Sequence, residues 1–193
     1  MAMTRFEKLF VNRDRKAKRN IEKVCTHLEQ MDIGNLHDTL ELGCGIGSVS
    51  AYLSESFQMN VVGTDFDPAQ IKIARSKYPE NDVLHFRIEN ASNLSFNDSS
   101  FDLVLSQNVF HHVPAWEEAV HEVSRVLKPE GYFIWHDLTY SKYLVNLFQP
   151  IVKNYGLYTY EGIMTEFTKN KFVPLYHERL IFTHHLVFQK KEL

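Results

Sequence analysis

The chain has 193 residues, of which 44% are hydrophobic and 23% charged, and its formal net charge is −3. These proportions are typical of a globular domain and exclude a disordered, collagen-like or coiled-coil chain. The length predicts a single domain over residues 1–193, with enough chain to bury a sizeable core.

The charge is unevenly distributed along the chain. Residues 5–23 contain eight lysines and arginines against three acidic residues. Such a segment either contacts an anion, a membrane surface or nucleic acid, or forms a solvated helix face. Because the chain as a whole is acidic, we expect no nucleic-acid partner. The absence of a long apolar stretch predicts no membrane span, and the two cysteines predict a cytoplasmic protein.

Extended and helical segments alternate along the first 138 residues. The predicted strands cover residues 39–43, 60–65, 83–88, 101–106 and 132–135. The predicted helices cover residues 5–30, 48–57, 67–78 and a stretch around 119–127. The first of them would form an N-terminal cap. Asp67-Pro68-Ala69-Gln70 predicts a helix start, since it combines a capping carboxylate, a proline at the first helical position and a capping-box partner. Residues 129–131, Pro-Glu-Gly, predict a turn.

These repeated β-then-α units predict an α/β fold. We expect a Rossmann-like, doubly wound and mostly parallel sheet of about seven strands, with helices on both faces. After Asp137 the pattern changes. Residues 139–170 are mainly helical and would form a lid or substrate region. Residues 173–182 and 184–190 predict a C-terminal antiparallel strand pair, within closing strands over 171–193.

The loop after the first predicted strand is rich in glycine. Leu40-Glu41-Leu42-Gly43-Cys44-Gly45-Ile46-Gly47 leads from a strand into a helix. Glycines at this place allow a tight turn and the close approach of a ligand. Asp65 ends the next strand, 22 residues after Gly43, where an acidic residue commonly binds ribose hydroxyls. The combination favours a nucleoside ligand over a tight turn without a ligand.

Two classes of nucleoside ligand compete for this loop. A nicotinamide dinucleotide site has Gly-x-Gly-x-x-Gly, with a pyrophosphate at the helix N-terminus. Here the spacing is Gly43-x-Gly45-x-Gly47. Glu41 precedes the glycines, and its carboxylate would repel a pyrophosphate but suit a ligand that carries an ammonium group. A dinucleotide-dependent reductase is therefore disfavoured.

Residues 38–138 resemble the class I S-adenosylmethionine-dependent methyltransferases of the small-molecule type. The segments that carry the resemblance are 40–47 (motif I, LELGCGIG), 61–68, 90–96, 100–104, 106–113 and 125–131. The resemblance implies S-adenosylmethionine as the cofactor and S-adenosylhomocysteine as its product. It also implies methyl transfer by in-line displacement to a small-molecule acceptor. It leaves the acceptor, the methylated atom and the oligomeric state open.

The resemblance implies a set of cofactor-binding residues. They are Glu41, Gly43, Cys44, Gly45, Asp65, Phe66, Asn90, Ala91, Gln107 and Asn108. By position, the first four would hold the methionine part, Asp65 the ribose and Phe66 the adenine. Asn90 stands where the family often has aspartate, and its amide oxygen can still accept from the adenine amino group. The pair at 107–108 would border the reacting methyl group.

A general base is needed only if the acceptor must lose a proton. The candidates are His111, His112 and His136, because histidine titrates near neutral pH and all three follow predicted strands. Each of these histidines could instead make a structural hydrogen bond or lie at the surface. The histidines lack the i, i+4 spacing or the cysteine partners of a recognisable zinc site, so no metal site is predicted.

The substrate cavity is expected to come from segments outside the core. Aromatic rings there would line an apolar pocket and stabilise a sulfonium, or would be ordinary packing; they are Phe6, Phe10, Tyr140, Tyr143, Tyr155, Tyr158 and Tyr160. The basic helix would border the cavity and favour an anionic acceptor. The alternative to an enzyme is a catalytically silent cofactor-binding assembly or regulatory protein of the same fold.

Overall fold

A computed structural model of the chain describes residues 14–29, 31, 34 and 36–192. Its strands are β1 (Asp38–Leu42), β2 (Asn60–Asp65), β3 (Leu84–Ile88), β4 (Phe101–Gln107), β5 (Leu127–Leu138), β6 (Phe172–Leu180) and β7 (Thr183–Lys190). Its helices are α1 (Asp14–Leu28), α2 (Ser48–Phe57), α3 (Pro68–Lys77), α4 (Trp116–Val126), α5 (Lys142–Phe148) and α6 (Tyr160–Lys169). Residues 5–13 of the predicted first helix, including Phe6 and Phe10, lie outside the described residues.

The strands form one sheet in the order β3-β2-β1-β4-β5-β7-β6. The first five strands pair in parallel, and β7 is antiparallel to both β5 and β6. The strand order reverses between β1 and β4, and open sheets of this kind bind ligands at the carboxyl ends of the strands beside such a reversal. The predicted fold class is confirmed, including the C-terminal antiparallel pair.

Buried apolar side chains form two clusters on opposite faces of the sheet. Along β5, Phe133 and Trp135 belong to one cluster and Ile134 to the other, because successive side chains of a strand point to opposite faces. Helices α4 and α6 cover the first cluster, and α1, α2 and α3 cover the second. The sheet therefore has helices on both faces, as predicted.

The start of α3 follows the predicted capping chemistry. The side chain of Asp67 accepts a hydrogen bond from the backbone N–H of Ala69 at 2.9 Å. Pro68 occupies the first helical position, where its lack of an N–H costs nothing. This cap fixes where the chain leaves β2, immediately after Asp65.

The predicted turn at residues 129–131 is wrong. These residues lie inside β5, which begins at Leu127. Phe101 pairs with Leu127 and Leu103 pairs with Tyr132, so several residues of β5 oppose a single residue of β4. Glu130 takes up the excess with a left-handed φ of 59°. Turn-forming residues here produce a bulge rather than a chain reversal, because parallel pairing with β4 continues on both sides.

The predicted helical region at 139–170 contains two short helices joined by a non-helical connection. Gly156 anchors this connection, since its backbone N–H donates to the carbonyl of His111 at 3.1 Å. A Cβ at this glycine would collide with the carbonyl oxygens of Phe110 and Val113. The connection therefore packs directly on the turn that follows β4. No helix among the described residues is long and apolar enough to cross a membrane.

Candidate active site

A cavity of about 530 Å³ lies at the carboxyl ends of β1, β2 and β4. All ten residues that the sequence assigns to the cofactor line it, and so do His111 and His112. Helix α1 adds Lys16, Ala17 and Asn20 to its wall, which sequence patterns did not identify individually. The fold thus brings together residues that are spread over nearly a hundred positions of the chain.

The glycine loop has a backbone that side chains rarely adopt. Gly43 has a φ of +65° and Gly47 a φ of +79°, both in the left-handed region that favours glycine. A Cβ on Gly43 would collide with Val109, and one on Gly47 would lie 2.6 Å from the ring of Phe86. The N–H of Cys44 donates to the carbonyl of Thr64 at 2.8 Å. The loop is therefore held against β2 and the residues after β4.

Asp65 links the glycine loop to the end of β2. One carboxylate oxygen accepts from the backbone N–H of Gly45 at 3.0 Å and the other from the N–H of Asp67 at 2.8 Å. The residue is buried. These bonds fix the carboxylate in the cavity wall. A carboxylate oxygen can accept more than one hydrogen bond.

Glu41 places a second carboxyl group in the same wall. Its side chain is buried and accepts a hydrogen bond from the hydroxyl of Ser50. Burial raises the pKa of Glu41 to about 7, against the opposing effect of the Ser50 hydrogen bond and with a further increase from Asp65. Two neighbouring acids in a closed wall favour a cationic ligand group and disfavour a diphosphate.

Replacing Glu41 with glutamine is expected to stabilise the ligand-free protein at neutral pH. The pKa of Glu41 is about 7 in the folded protein, against 4.5 in the unfolded chain. Between these pH values the unfolded chain can ionise Glu41 and the folded protein cannot, so the wild type loses stability as the pH rises from 4.5 to 7. The gain of Glu41→Gln should grow over this window to about 3 kcal/mol. Urea unfolding at pH 5 and pH 8 measures it. Glu118→Gln changes an exposed glutamate and serves as the control. An equal effect of Glu41→Gln at both pH values would contradict the assignment.

Phe66 and Asn90 lie at the outer part of the cavity. The ring of Phe66 is 52% exposed, which leaves an aromatic face for a planar ligand group. The side-chain oxygen of Asn90 accepts from the backbone N–H of Ser92 at 3.2 Å and from its hydroxyl at 2.9 Å. These two bonds to Ser92 use both lone pairs of the oxygen. The Ser92 hydroxyl must therefore rotate away before the oxygen can accept from an adenine amino group.

Gln107 joins the cavity wall to helix α1. Its side-chain amide nitrogen donates to the backbone carbonyl of Asn20 at 3.1 Å and lies 3.1 Å from Nδ1 of His136. The next residue, Asn108, has a left-handed φ of 60°, and its N–H donates to the carbonyl of His136 at 2.7 Å. The end of β4 is thereby fixed to both α1 and β5.

His111 pairs with the buried Asp137 at the edge of the cavity. Nδ1 of His111 lies 2.5 Å from a carboxylate oxygen of Asp137, whose side chain is fully buried. Asp137 also accepts from the backbone N–H groups of Phe110 and Leu138, each at 2.7 Å. The fixed carboxylate orients the imidazole with Nδ1–H toward it, so the lone pair is on Nε2. This is the arrangement of an oriented general base.

The structure separates the three candidate histidines. His112 lines the cavity beside His111, with 4.0 Å between the ring centroids. His136 is 2% exposed and is not among the cavity-lining residues. Its side chain lies on the α1 face of the sheet, whereas that of Asp137 faces the turn after β4. Successive strand residues point to opposite faces. This alternation is the sequence signal that could have placed Asp137, rather than His136, on the side of the turn after β4.

The five tyrosines from 140 to 160, expected either to line a substrate pocket or to be ordinary packing, do not line this cavity. Tyr158 is buried against Trp116 and Trp135. Tyr160 stacks on His184, with ring centroids 4.5 Å apart, and Tyr143 is 74% exposed. Tyr143, Tyr158 and Tyr160 therefore take surface or packing positions, whereas Tyr155 lies against the cavity-lining His112, with ring centroids 5.7 Å apart.

Residues 40–135 match the family described as a methyltransferase domain. This range includes the glycine loop, Asp65 and the histidines at the end of β4. This chain carries a methyltransferase domain over residues 40–135. The methyltransferase domain thus accounts for five of the seven strands, and α5, α6 and the β6–β7 pair follow it along the chain.

Two relatives illustrate the sequence similarity. A 2-methyl-6-phytyl-1,4-hydroquinone methyltransferase of Synechocystis sp. is 37% identical over 98 residues, which cover 51% of this chain and 31% of that protein. A phthiotriol/phenolphthiotriol dimycocerosates methyltransferase of Mycobacterium tuberculosis is 36% identical over 110 residues, which cover 56% of this chain and 40% of that protein. The chain therefore spans less than half the length of these curated relatives.

Solved structures extend the similarity to the complete fold. A protein of Pyrococcus horikoshii superimposes with a TM-score of 0.77 at 23% identity, covering 98% of this chain and 100% of that one. A SAM-dependent methyltransferase of Methanosarcina mazei gives a TM-score of 0.71 at 23% identity, covering 87% and 98%. At these identities the likeness concerns the fold alone.

Proposed function

We propose that the chain transfers a methyl group from S-adenosylmethionine to a small-molecule acceptor by in-line displacement. The observation that carries the proposal is the pair of buried carboxyl groups, Glu41 and Asp65, at the ends of adjacent parallel strands in one cavity. The alternative, a cofactor-binding protein without turnover, does not account for the oriented His111–Asp137 pair beside that cavity.

The residues of the cavity suit S-adenosylmethionine. Glu41 would face the ammonium of the methionine part and ionise on binding, since an opposite charge favours the charged form of a carboxyl group. Asp65 would accept from ribose hydroxyls, and the exposed ring of Phe66 would stack on adenine. The volume of about 530 Å³ lies within the range of small-molecule sites, roughly 300–1,000 Å³. When bound, the cofactor supplies a methyl group already activated by its sulfonium.

The chain's own part in the reaction is to orient the acceptor and to hold its proton. His111 would accept the acceptor's proton on Nε2, and Asp137 would stabilise the imidazolium through the Nδ1–H bond. His112 would contribute to the wall on the acceptor side. Gln107 and Asn108 would border the methionine part and keep the acceptor in line with the methyl group.

An anionic acceptor fits the charge of helix α1. Lys16 lines the cavity, and burial, together with the nearby Arg19, lowers the pKa of its ammonium. An anionic group of the acceptor would stabilise the charged form of the Lys16 ammonium and so offset the cost of its burial. Because the two relatives are named for a prenylated hydroquinone and for phthiotriols, hydroxyl-bearing lipophilic compounds form the first acceptor panel, with carboxylated and neutral members compared.

Thermal shift and single-turnover measurements test the proposal. S-adenosylhomocysteine should raise the melting temperature, whereas NADH should not. Transfer of a labelled methyl group to one or more members of the acceptor panel would establish catalysis. Stabilisation by NADH alone would contradict the cofactor assignment, and cofactor binding without transfer to any acceptor would favour the non-catalytic alternative.

Asp65→Ala is expected to weaken S-adenosylhomocysteine binding by about 1–3 kcal/mol, because charge-assisted hydrogen bonds to the ribose are lost. Calorimetric titration of wild type and variant measures the difference. Asp82 precedes β3, at the amino ends of the parallel strands, and is exposed, so Asp82→Ala is the matched control and should bind as the wild type does. Unchanged affinity in Asp65→Ala would refute the ribose role.

A further inference from the structure

Three histidines from three separate elements meet beneath helix α1. His27 comes from α1, His136 from β5 and His185 from β7, and all three are at most 2% exposed. One ring nitrogen of each lies within 4.8 Å of those of the other two. His136 and His185 are directly paired across the antiparallel β5–β7 ladder, so their side chains share the face that α1 covers. Positions so distant in the chain have no spacing that a sequence motif would reveal.

The cluster contains buried nitrogens without hydrogen-bond partners. Within the described part of the chain, neither ring nitrogen of His27 has a partner, and the same is true of Nε2 of His136. Burial lowers the pKa of His27 to about 4, and burial also lowers the pKa values of His136 and His185. An unpaired buried polar atom costs about 1–3 kcal/mol. Two adjacent buried imidazoles, His27 and His136, that carry unpaired nitrogens therefore require an explanation.

The surrounding residues resemble the outer shell of a metal site. A carboxylate oxygen of Glu178 lies 3.0 Å from Nδ1 of His185, which places the proton on Nδ1 and the lone pair on Nε2. Metal-bound histidines commonly donate their second nitrogen to a carboxylate in this way. For His136 to bind through Nε2, the Gln107 amide must present its oxygen to Nδ1. That oxygen has no partner among the residues described, and turning it toward Nδ1 gives up the hydrogen bond from the amide nitrogen to the Asn20 carbonyl.

We propose that His27, His136 and His185 bind a divalent transition metal ion, with Zn²⁺ as the best candidate. Neutral imidazoles suit zinc, copper, iron and nickel, and three of them leave one tetrahedral position for water. Zinc–nitrogen bonds of about 2.0–2.1 Å place the ligand nitrogens about 3.3 Å apart, so the rings must approach by about 1.5 Å at most. The methyl transfer proposed above does not use this ion, and the two proposals are independent.

The ion would fix the cavity wall rather than take part in chemistry. Helix α1 carries both His27 and the cavity-lining Lys16, Ala17 and Asn20, while the other two ligands belong to the sheet. A bond from the ion to each element would hold α1 on the β5–β7 strand pair. The site is thus structural, one layer behind the cavity.

Lys23 is the competitor for the site. Its ammonium lies 3.0 Å from Nε2 of His185, the nitrogen that the ion would use, and must move away for the ion to bind. The alternative is a metal-free histidine cluster held by Lys23. The metal-bound and metal-free clusters predict different effects of Lys23→Met on metal binding. If the cluster binds a metal ion, removing the Lys23 ammonium should strengthen metal binding by about tenfold, because a positive charge beside the cation is removed. If the cluster is metal-free, the same substitution would only loosen it.

Zinc titration of the chelator-treated full chain tests the proposal. The wild type should bind one equivalent of Zn²⁺, and Co²⁺ in its place should give the intense visible absorption of tetrahedral coordination. His27→Gln should weaken binding by about a hundredfold or more, since even outer-shell changes cost about 10–100-fold. The control His177→Gln changes a histidine on β6 that contacts His184, and it should keep the site.

The proposal is overturned if the wild type binds no more Zn²⁺ than His27→Gln does, or if His177→Gln abolishes binding. Circular dichroism and S-adenosylhomocysteine binding report whether each variant folds. Should His27→Gln fail to fold, Lys23→Met decides: tighter Zn²⁺ binding with retained Co²⁺ absorption supports the site, and unchanged or weaker binding refutes it. None of these measurements depends on an acceptor, so their failure is distinct from failure of the methyl-transfer proposal.

Discussion

His111→Gln should lower the single-turnover rate of methyl transfer by about 10²–10⁴-fold with an acceptor that must lose a proton, which is the usual contribution of a general base. The imidazole lines the cavity, and its Nδ1 is paired with the buried carboxylate of Asp137. Glutamine keeps polarity but cannot take a proton at neutral pH. S-adenosylhomocysteine affinity should change little, because the cofactor residues are untouched.

Two further variants define the role of His111. His112→Gln should cost less, because the paired carboxylate of Asp137 orients His111. His121 lies on α4 with its side chain 70% exposed, so His121→Gln should leave the rate unchanged. An equal loss in His111→Gln and His121→Gln would show a general effect of the substitution, and a full rate in His111→Gln would eliminate the base.

Gly47→Ala should lower the free energy of unfolding by about 2–5 kcal/mol. The left-handed φ of +79° costs about 1–3 kcal/mol for a residue with a Cβ. The new methyl group would lie 2.6 Å from the ring of Phe86 and 3.1 Å from Ala74, and overpacking of a core adds about 1–3 kcal/mol. Chemical denaturation measures the loss, which appears as a lower midpoint at an unchanged slope.

Gly162→Ala is the matched control for Gly47→Ala. Gly162 lies in α6, and its Cβ would meet only the hydroxyl of Thr159, at 3.2 Å. Alanine is favoured over glycine within a helix by up to about 1 kcal/mol, so this variant should be within about 1 kcal/mol of the wild type. A midpoint for Gly47→Ala as high as that for Gly162→Ala would contradict the packing described for the glycine loop.

Local chemistry explains why much of the fold could be predicted from the sequence. The cap at Asp67 and Pro68 is local, so it fixes the start of α3 independently of the residues on which the helix packs. The alternation of apolar strands with amphipathic helices leaves few arrangements other than a doubly wound sheet. Apolar residues stand on both sides of Pro-Glu-Gly, at 126–127 and at 132–134, and only pairing with β4 distinguishes a bulge from a turn. Pairing is a tertiary property that composition does not report.

The candidate site divides in the same way. Glu41 and Asp65 could be predicted because both end adjacent parallel strands at a recognisable glycine loop. Asp137 could not be assigned, because its partner His111 is 26 residues away and on a different strand end. The histidine cluster depends on the β5–β7 register and on the placement of α1, and a shift of one residue in that register would turn every side chain of β7 to the other face.

The place of β7 in the sheet also bears on how the protein is made. Thr183–Lys190 is the last of the seven strands to be synthesised, yet it lies between β5 and β6. Until it leaves the ribosome, β6 has no neighbour in the sheet and one edge of β5 stays unpaired, a situation that favours wrong strand association. We therefore expect the parallel half of the sheet to form first during translation, with β6 joining it only after β7 has docked.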